Sequence, residues 1–155
     1  MKIVILFGTE SGTAEFVAGD VADRLADVAE TFVSDLAEYS VSDLSAENLY
    51  LVVCSTYGDG EPPASALPFL EALDADAPDL DGLRYAVFGM GDSSYEETYS
   101  QGSEIVDAKF TELGAIRVGE YGRHDAAGRD VAGDVAVAWV DGIMAVAMLS
   151  ASGRA

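Results

Sequence analysis

The segment Gly8-Thr9-Glu10-Ser11-Gly12-Thr13-Ala14-Glu15 follows directly on the apolar run Ile3-Val4-Ile5-Leu6-Phe7 and contains no Lys or Arg. A buried strand that ends in a glycine- and hydroxyl-rich turn and then opens a helix makes a phosphate cradle. Backbone N–H groups and the helix dipole hold a dianion there without a counter-charge. The missing base narrows the ligand. A nucleoside triphosphatase loop carries a Lys for the outer phosphates, whereas the terminal phosphomonoester of a buried cofactor can be held by amides and hydroxyls alone. The competing reading is an ordinary Ser/Thr-capped helix start without a ligand.

Two further segments have related chemistry. Ser55-Thr56-Tyr57-Gly58-Asp59-Gly60-Glu61-Pro62-Pro63 follows the apolar run Leu49–Cys54, and Gly89-Met90-Gly91-Asp92-Ser93-Ser94-Tyr95 follows Tyr85–Phe88. Each combines glycines with one tyrosine. Offset stacking on tyrosine favours a planar heteroaromatic ring by roughly 0.5–1.5 kcal/mol beyond area burial, and two tyrosines on separate loops can take opposite faces of one ring. Glycines let the backbone approach the ring edge. Taken singly, Tyr57 reads equally as a rim aromatic, Tyr95 as a packed one, and Gly60 as a turn residue before Pro62.

Other reactive side chains read as structural. Cys54 ends a buried run and is expected to be a small core hydrophobe. His124, the only histidine, is expected at the surface in an acidic loop. Asp59, Glu61, Asp92, Glu96 and Glu97 lack the ligand ladder of a calcium loop and read as solvated acids. Trp139 fits the buried stripe of the last helix.

The elements that position these segments follow from periodicity. Strand-like runs recur at Ile3–Phe7, Thr31–Leu36, Leu49–Cys54, Tyr85–Phe88 and Ile116–Gly119. Helical patterns lie between them: Phe16, Val17, Val21, Leu25 and Val28; Ala66–Leu73; Ile105, Val106, Phe110 and Leu113, stopped by Gly114; and Val131, Val135, Trp139 and Ile143. Strands alternating with helices imply an α/β fold with a parallel sheet covered on both faces, and right-handed crossovers make it a three-layer doubly wound domain. Ligands of such sheets bind beyond the carboxyl ends of the strands, near the point where strand order reverses. All three chemical segments lie at such exits, those of the first, third and fourth strands. The chain reads as one domain over residues 1–149, with residues 150–155 a flexible tail.

Composition restricts partners and compartment. There are 28 acids against 8 bases, a net charge of -20, and only Lys2 and Lys109 are lysines. Like charge makes nucleic acid and anionic membranes poor partners. The acids are spread over every helix and loop, which favours solvation in a high-salt cytoplasm over a single docking face, though the two are compatible. No apolar run approaches the ~20 residues that span a membrane, and no export leader is evident. A lone cysteine forms no internal disulfide. A cytoplasmic monomer is expected.

The three segments, in this order and each at a strand exit, resemble those of the flavodoxins, in particular the short form without a long insertion in the last strand. They look most like the FMN domains of diflavin reductases such as the sulfite reductase flavoprotein, over Lys2 to about Ile143. The resemblance implies a flavodoxin-like α/β/α fold with a five-stranded parallel sheet in the order 2-1-3-4-5, and FMN as cofactor. It places Thr9, Glu10, Ser11, Gly12, Thr13 and Ala14 around the phosphate, and Tyr57 and Tyr95 on the two faces of the isoalloxazine. Ser55, Thr56, Asp59 and Gly60 complete the second loop. The Gly58 carbonyl would accept a hydrogen bond from flavin N5 after uptake of one electron and a proton. Gly89, Met90, Gly91, Asp92 and Ser93 would meet the ring edge and ribityl chain. Asp125, in the loop after the fifth strand, would support the cofactor. Thr98-Tyr99 stand where many relatives have Phe-Cys.

The function so implied is one-electron transfer rather than catalysis, from an electron-donating reductase to electron-accepting enzymes that dock through basic surfaces. The alternative is a flavoprotein enzyme such as a quinone reductase, or a separated module of an NAD(P)H-dependent diflavin reductase. The lack of a Gly-x-Gly-x-x-Gly segment and the scarcity of bases weigh against it. A signalling receiver would need an acidic pair after the first strand and a Lys after the fifth. Here the first exit is Gly-Thr-Glu, and no Lys follows Lys109.

Overall fold

The computed structural model describes residues 2–9, 12–55, 63–91, 101–125 and 131–152. The elements are β1 (Lys2–Gly8), α1 (Thr13–Leu25), β2 (Glu30–Asp35), β3 (Leu49–Cys54), α2 (Leu67–Asp76), β4 (Arg84–Gly91), α3 (Gln101–Glu112), β5 (Ile116–Arg117), β6 (Gly122–Asp125) and α4 (Ala132–Ser152). The sheet is parallel in the order β2-β1-β3-β4-β5, with β6 also paired to β4.

Period-2 geometry sorts the strand side chains between two cores. Ile3, Ile5, Phe7, Leu49, Leu51, Val53, Ala86, Phe88 and Met90 face α1 and α4. Val4, Leu6, Tyr50, Val52, Cys54, Tyr85 and Val87 face α2 and α3. Both faces of β1, β3 and β4 are thus covered, which is why these strands read as unbroken apolar runs.

The structure departs from the sequence reading where tertiary packing overrides pattern. The buried stripe of α1 is Ala14, Val17, Ala18, Val21 and Leu25. Phe16 is 79% exposed and Val28 69%, so neither belongs to it. Val131, expected on the buried side of the last helix, is 64% exposed; Ala136, Val140, Ile143 and Ala147 make that contact. The second strand ends at Asp35, and buried Leu36 follows it. α4 is helical as far as Ser152.

The single fifth strand expected over Ile116–Gly119 is instead two short strands. Ile116 and Arg117 pair with Arg84 and Tyr85, and Gly122–Asp125 pair with Phe88–Gly91. Between them Gly119 has φ +71°, where a side chain is strained. Asp125 is therefore the last residue of a strand, not part of a loop, and His124 lies opposite Met90, half-buried rather than on an open surface.

Candidate cofactor-binding site

The exits of β1, β3 and β4 stand level. Gly8 pairs with Cys54, Cys54 with Gly89, and Gly89 with Arg123 of β6. At roughly 4.8 Å between strands, the three exits span about 10 Å, the scale of a tricyclic ring. The β1 crossover runs to α1 on one face and the β3 crossover to α2 on the other. The reversal of strand order thus falls between β1 and β3, where open α/β sheets bind ligands.

The β1 exit is packed tightly enough to require glycine. A Cβ on Gly8 would lie 3.1 Å from Cys54 Sγ, 3.1 Å from Leu36 Cδ1 and 3.2 Å from Pro63 Cγ. The Ser55 N–H and hydroxyl both donate to the Gly8 carbonyl, at 3.0 and 3.2 Å. The Thr9 N–H donates to Ser65 Oγ at 2.8 Å, joining the exit to the 3₁₀ turn Ala64–Ala66. Thr9 Oγ1 in turn accepts from the Gly12 N–H at 2.7 Å.

Gly12 stands at the start of α1 with φ 95° and ψ -8°, and among the described residues no side chain caps the helix. The first N–H groups of a helix have no intrahelical acceptor, so those of Thr13 and its successors remain for an anion, with the helix dipole behind them. Thr13 is exposed beside them, while Ala14 is buried and seats the helix on the sheet. Among the described residues, four cations are held in ion pairs. Arg24 pairs with Asp141 at 2.9 Å, Lys109 with Asp74 at 2.5 Å, Arg117 with Asp107 at 3.0 Å and Arg123 with Glu104 at 3.0 Å. Lys2 and Arg84 begin β1 and β4, at the opposite end of the strands. A cradle of amides and hydroxyls fits the phosphomonoester of a cofactor.

Of the site residues expected from sequence, the structure brings together Thr9, Gly12, Thr13, Ala14 and Ser55 at the first two exits. At the third it brings Gly89, Met90 and Gly91, with Asp125 paired to Gly91. Met90 is buried in the core beneath the exit. Glu10, Ser11, Thr56, Tyr57, Gly58, Asp59, Gly60, Asp92, Ser93 and Tyr95, together with Thr98-Tyr99, lie outside the described residues. Gly8 was read at the head of the first chemical segment without a role of its own, and Ser65 was not expected at the site, since nothing in its spacing connects it to Thr9.

The remaining reactive groups are structural. Cys54 is fully buried, and desolvation pushes its thiol up to about 12, so the reactive thiolate is disfavoured. Trp139 packs on Phe88 with ring centroids 5.4 Å apart and donates its indole N–H to the Glu120 carbonyl at 3.0 Å. Among the described residues, no group of three or more His, Cys, Asp or Glu could hold a metal ion. None of the described helices is long and apolar enough to cross a membrane.

Known proteins share this fold. The family model described as Flavodoxin matches residues 5–139. A solved structure of a point mutant of flavodoxin from Pseudomonas aeruginosa superposes with a TM-score of 0.83 at 35% identity, covering 94% of this chain and 98% of that one. Oxidised flavodoxin 1 from Bacillus cereus gives 0.79 at 26% identity, over 94% and 98%. In sequence, the chain is 39% identical to the sulfite reductase [NADPH] flavoprotein alpha-component of Neisseria meningitidis over 148 residues, 94% of this chain and 24% of the relative. It is 37% identical to NADPH–cytochrome P450 reductase of Sus scrofa over 134 residues, 80% of this chain and 19% of the relative. The chain thus spans less than a quarter of the length of these reductases.

Proposed function

Because the chain belongs to the flavodoxin family, we propose that it holds FMN at this edge and passes electrons singly from a reductase to acceptor enzymes. The observation that carries the reading is the level row Gly8–Cys54–Gly89, with an uncapped helix start at one end of it. Bound FMN supplies the one-electron chemistry. The amides of the first turn of α1, with Thr9 and Thr13, hold the phosphate without a cation. Tyr57 and Tyr95 would wall the ring, the Gly58 carbonyl would accept a hydrogen bond from a protonated N5, and Asp92 and Ser93 would meet the ring edge and ribityl chain. Asp125, at the end of β6 beside Gly91, supports this third exit from the adjoining strand.

Charge is the second lever on potential. A carboxylate 10 Å from the ring opposes an added electron by roughly 0.4 kcal/mol in water and about 1.7 kcal/mol at an effective dielectric of 20. With a net charge of -20, several such terms add, and they favour basic docking surfaces on donor and acceptor. The near-absence of lysine fits a saline cytoplasm.

The test is reconstitution with FMN followed by dialysis. Retained yellow colour supports the reading, and a colourless protein rejects it. The second reading, a module of an NAD(P)H-dependent reductase, is favoured by the 39% identity to the sulfite reductase flavoprotein. NAD(P)H alone should leave the flavin of a carrier oxidised; direct bleaching would favour an enzyme.

A further inference from the structure

The interrupted edge strand holds a side-chain assembly that the cofactor site does not itself use. Tyr121, in the interruption between β5 and β6, has the Arg117 guanidinium 5.3 Å and the Arg123 guanidinium 4.2 Å from its ring centroid. Both distances are within cation–π range. Each arginine is also bound to α3: Arg117 to Asp107 and Arg123 to Glu104, both at 3.0 Å. The Tyr121 hydroxyl is hydrogen-bonded to the hydroxyl of fully buried Ser103 in the first turn of α3. Asp107 also accepts from the buried Tyr85 hydroxyl of β4 at 2.7 Å. One ring thus joins the start of α3 to both halves of the edge strand.

The place of this assembly matters. The third exit leaves the sheet at Gly91, paired to Asp125 of β6, and the chain re-enters described structure at residue 101, where α3 starts. Tyr121 directly precedes β6, and Ser103 and Glu104 lie in the first turn of α3. We propose that Tyr121 is a positioning residue for the cofactor edge: through Ser103 and the Arg123–Glu104 pair it sets the start of α3 against β6, the strand whose Asp125 pairs with Gly91 at the third exit. The inference rests on the FMN reading above.

The test uses the full chain reconstituted with FMN, as wild type, Tyr121→Phe, Tyr121→Leu and a core control, Leu73→Ala on α2. The readouts are FMN affinity by fluorescence quenching, the visible circular dichroism of the bound flavin, and thermal midpoint. Tyr121→Phe keeps the ring and loses the bond to Ser103, and should weaken FMN about three- to tenfold, the size of one hydrogen bond. Tyr121→Leu also removes the arginine contacts, and should weaken FMN further and alter the flavin dichroism. Leu73→Ala should lower the thermal midpoint without changing the dichroism. If wild type binds FMN while folded Tyr121 variants keep affinity within about twofold (a ratio small on the kcal scale) and the same dichroism, the inference is overturned. It is equally overturned if Leu73→Ala reproduces their spectra. Should Tyr121→Leu not fold, Tyr121→Phe decides alone. A wild type that binds no FMN removes the function reading itself, a distinguishable result.

Discussion

The Thr9 N–H donates to Ser65 Oγ at 2.8 Å, across 56 positions of sequence. This bond ties the exit of β1 to the turn that leads into α2 on the opposite face of the sheet. Because Thr9 Oγ1 accepts from the Gly12 N–H, Ser65 also supports the start of α1 at second hand. Ser65→Ala leaves a part-buried donor unpaired, a cost of about 1–3 kcal/mol. At this chain length that is a fall in thermal midpoint of about 2–4 °C per kcal/mol. FMN affinity should fall with it, and an unchanged midpoint and affinity would remove Ser65 from the site.

Gly12 has φ 95°, and a Cβ there would meet none of the described residues within 4 Å. Gly12→Ala therefore costs only the left-handed conformation, about 1–2 kcal/mol, and disturbs the amides of the first turn. Affinity for FMN should drop, whereas riboflavin, which lacks the phosphate, should bind as it does to wild type. Equal losses for both ligands would place the phosphate elsewhere.

Gly58 carries the proposed hydrogen bond to flavin N5. Gly58→Ala resists the backbone turn that presents the carbonyl. During reductive titration the variant should accumulate less of the one-electron-reduced form while still retaining FMN. An undiminished yield, followed in the visible spectrum or by electron paramagnetic resonance, rejects the N5 assignment.

Burial raises the Cys54 thiol to about 12, so the folded protein keeps this proton where the unfolded chain, near ~8.5, releases it. Its contribution to stability is fully present below that value and is lost as pH rises toward 12. Thiol reagents at about pH 8, just below the free-thiol value, should leave the native protein unlabelled and react fully in urea. Rapid labelling without denaturant would show that the exit of β3 opens locally.

Repulsion among the surface carboxylates is screened as the Debye length falls from about 10 Å at 0.1 M salt to about 3 Å at 1 M. The thermal midpoint should rise over that range, and the potential for the second electron should become less negative. A potential insensitive to salt would mean that the carboxylates act on solubility alone.

Much of the scaffold was legible because physics acts locally there. The unbroken apolar runs of β1, β3 and β4 mark strands buried on both faces, and the base-free turn after Phe7 is the pattern on which the proposed phosphate cradle rests. β6 was not legible. Gly122-Arg123-His124-Asp125 has no apolar alternation, and its strand character comes from pairing with Phe88–Gly91. Gly122 is needed because Trp139 and Phe88 crowd it, with a Cβ placed 2.5 Å from Trp139 Cδ1 and 2.7 Å from Phe88 Cδ1. Phe16 misled for a related reason: apolar character alone placed it on the stripe, while the angular phase of α1 was set by Ala14 and Ala18 against the sheet.

What the amino-acid order determined by itself was the buried strands β1, β3 and β4, their cover on both faces, and the types of residue at each exit. All of these depend on neighbours within a few positions. Only the tertiary structure decided that Gly8, Cys54 and Gly89 stand in one row, that Ser65 reaches Thr9, and that Tyr121 gathers two arginines against α3. Register and long-range side-chain bonds are settled by simultaneous packing of elements far apart in the chain, which no local pattern encodes.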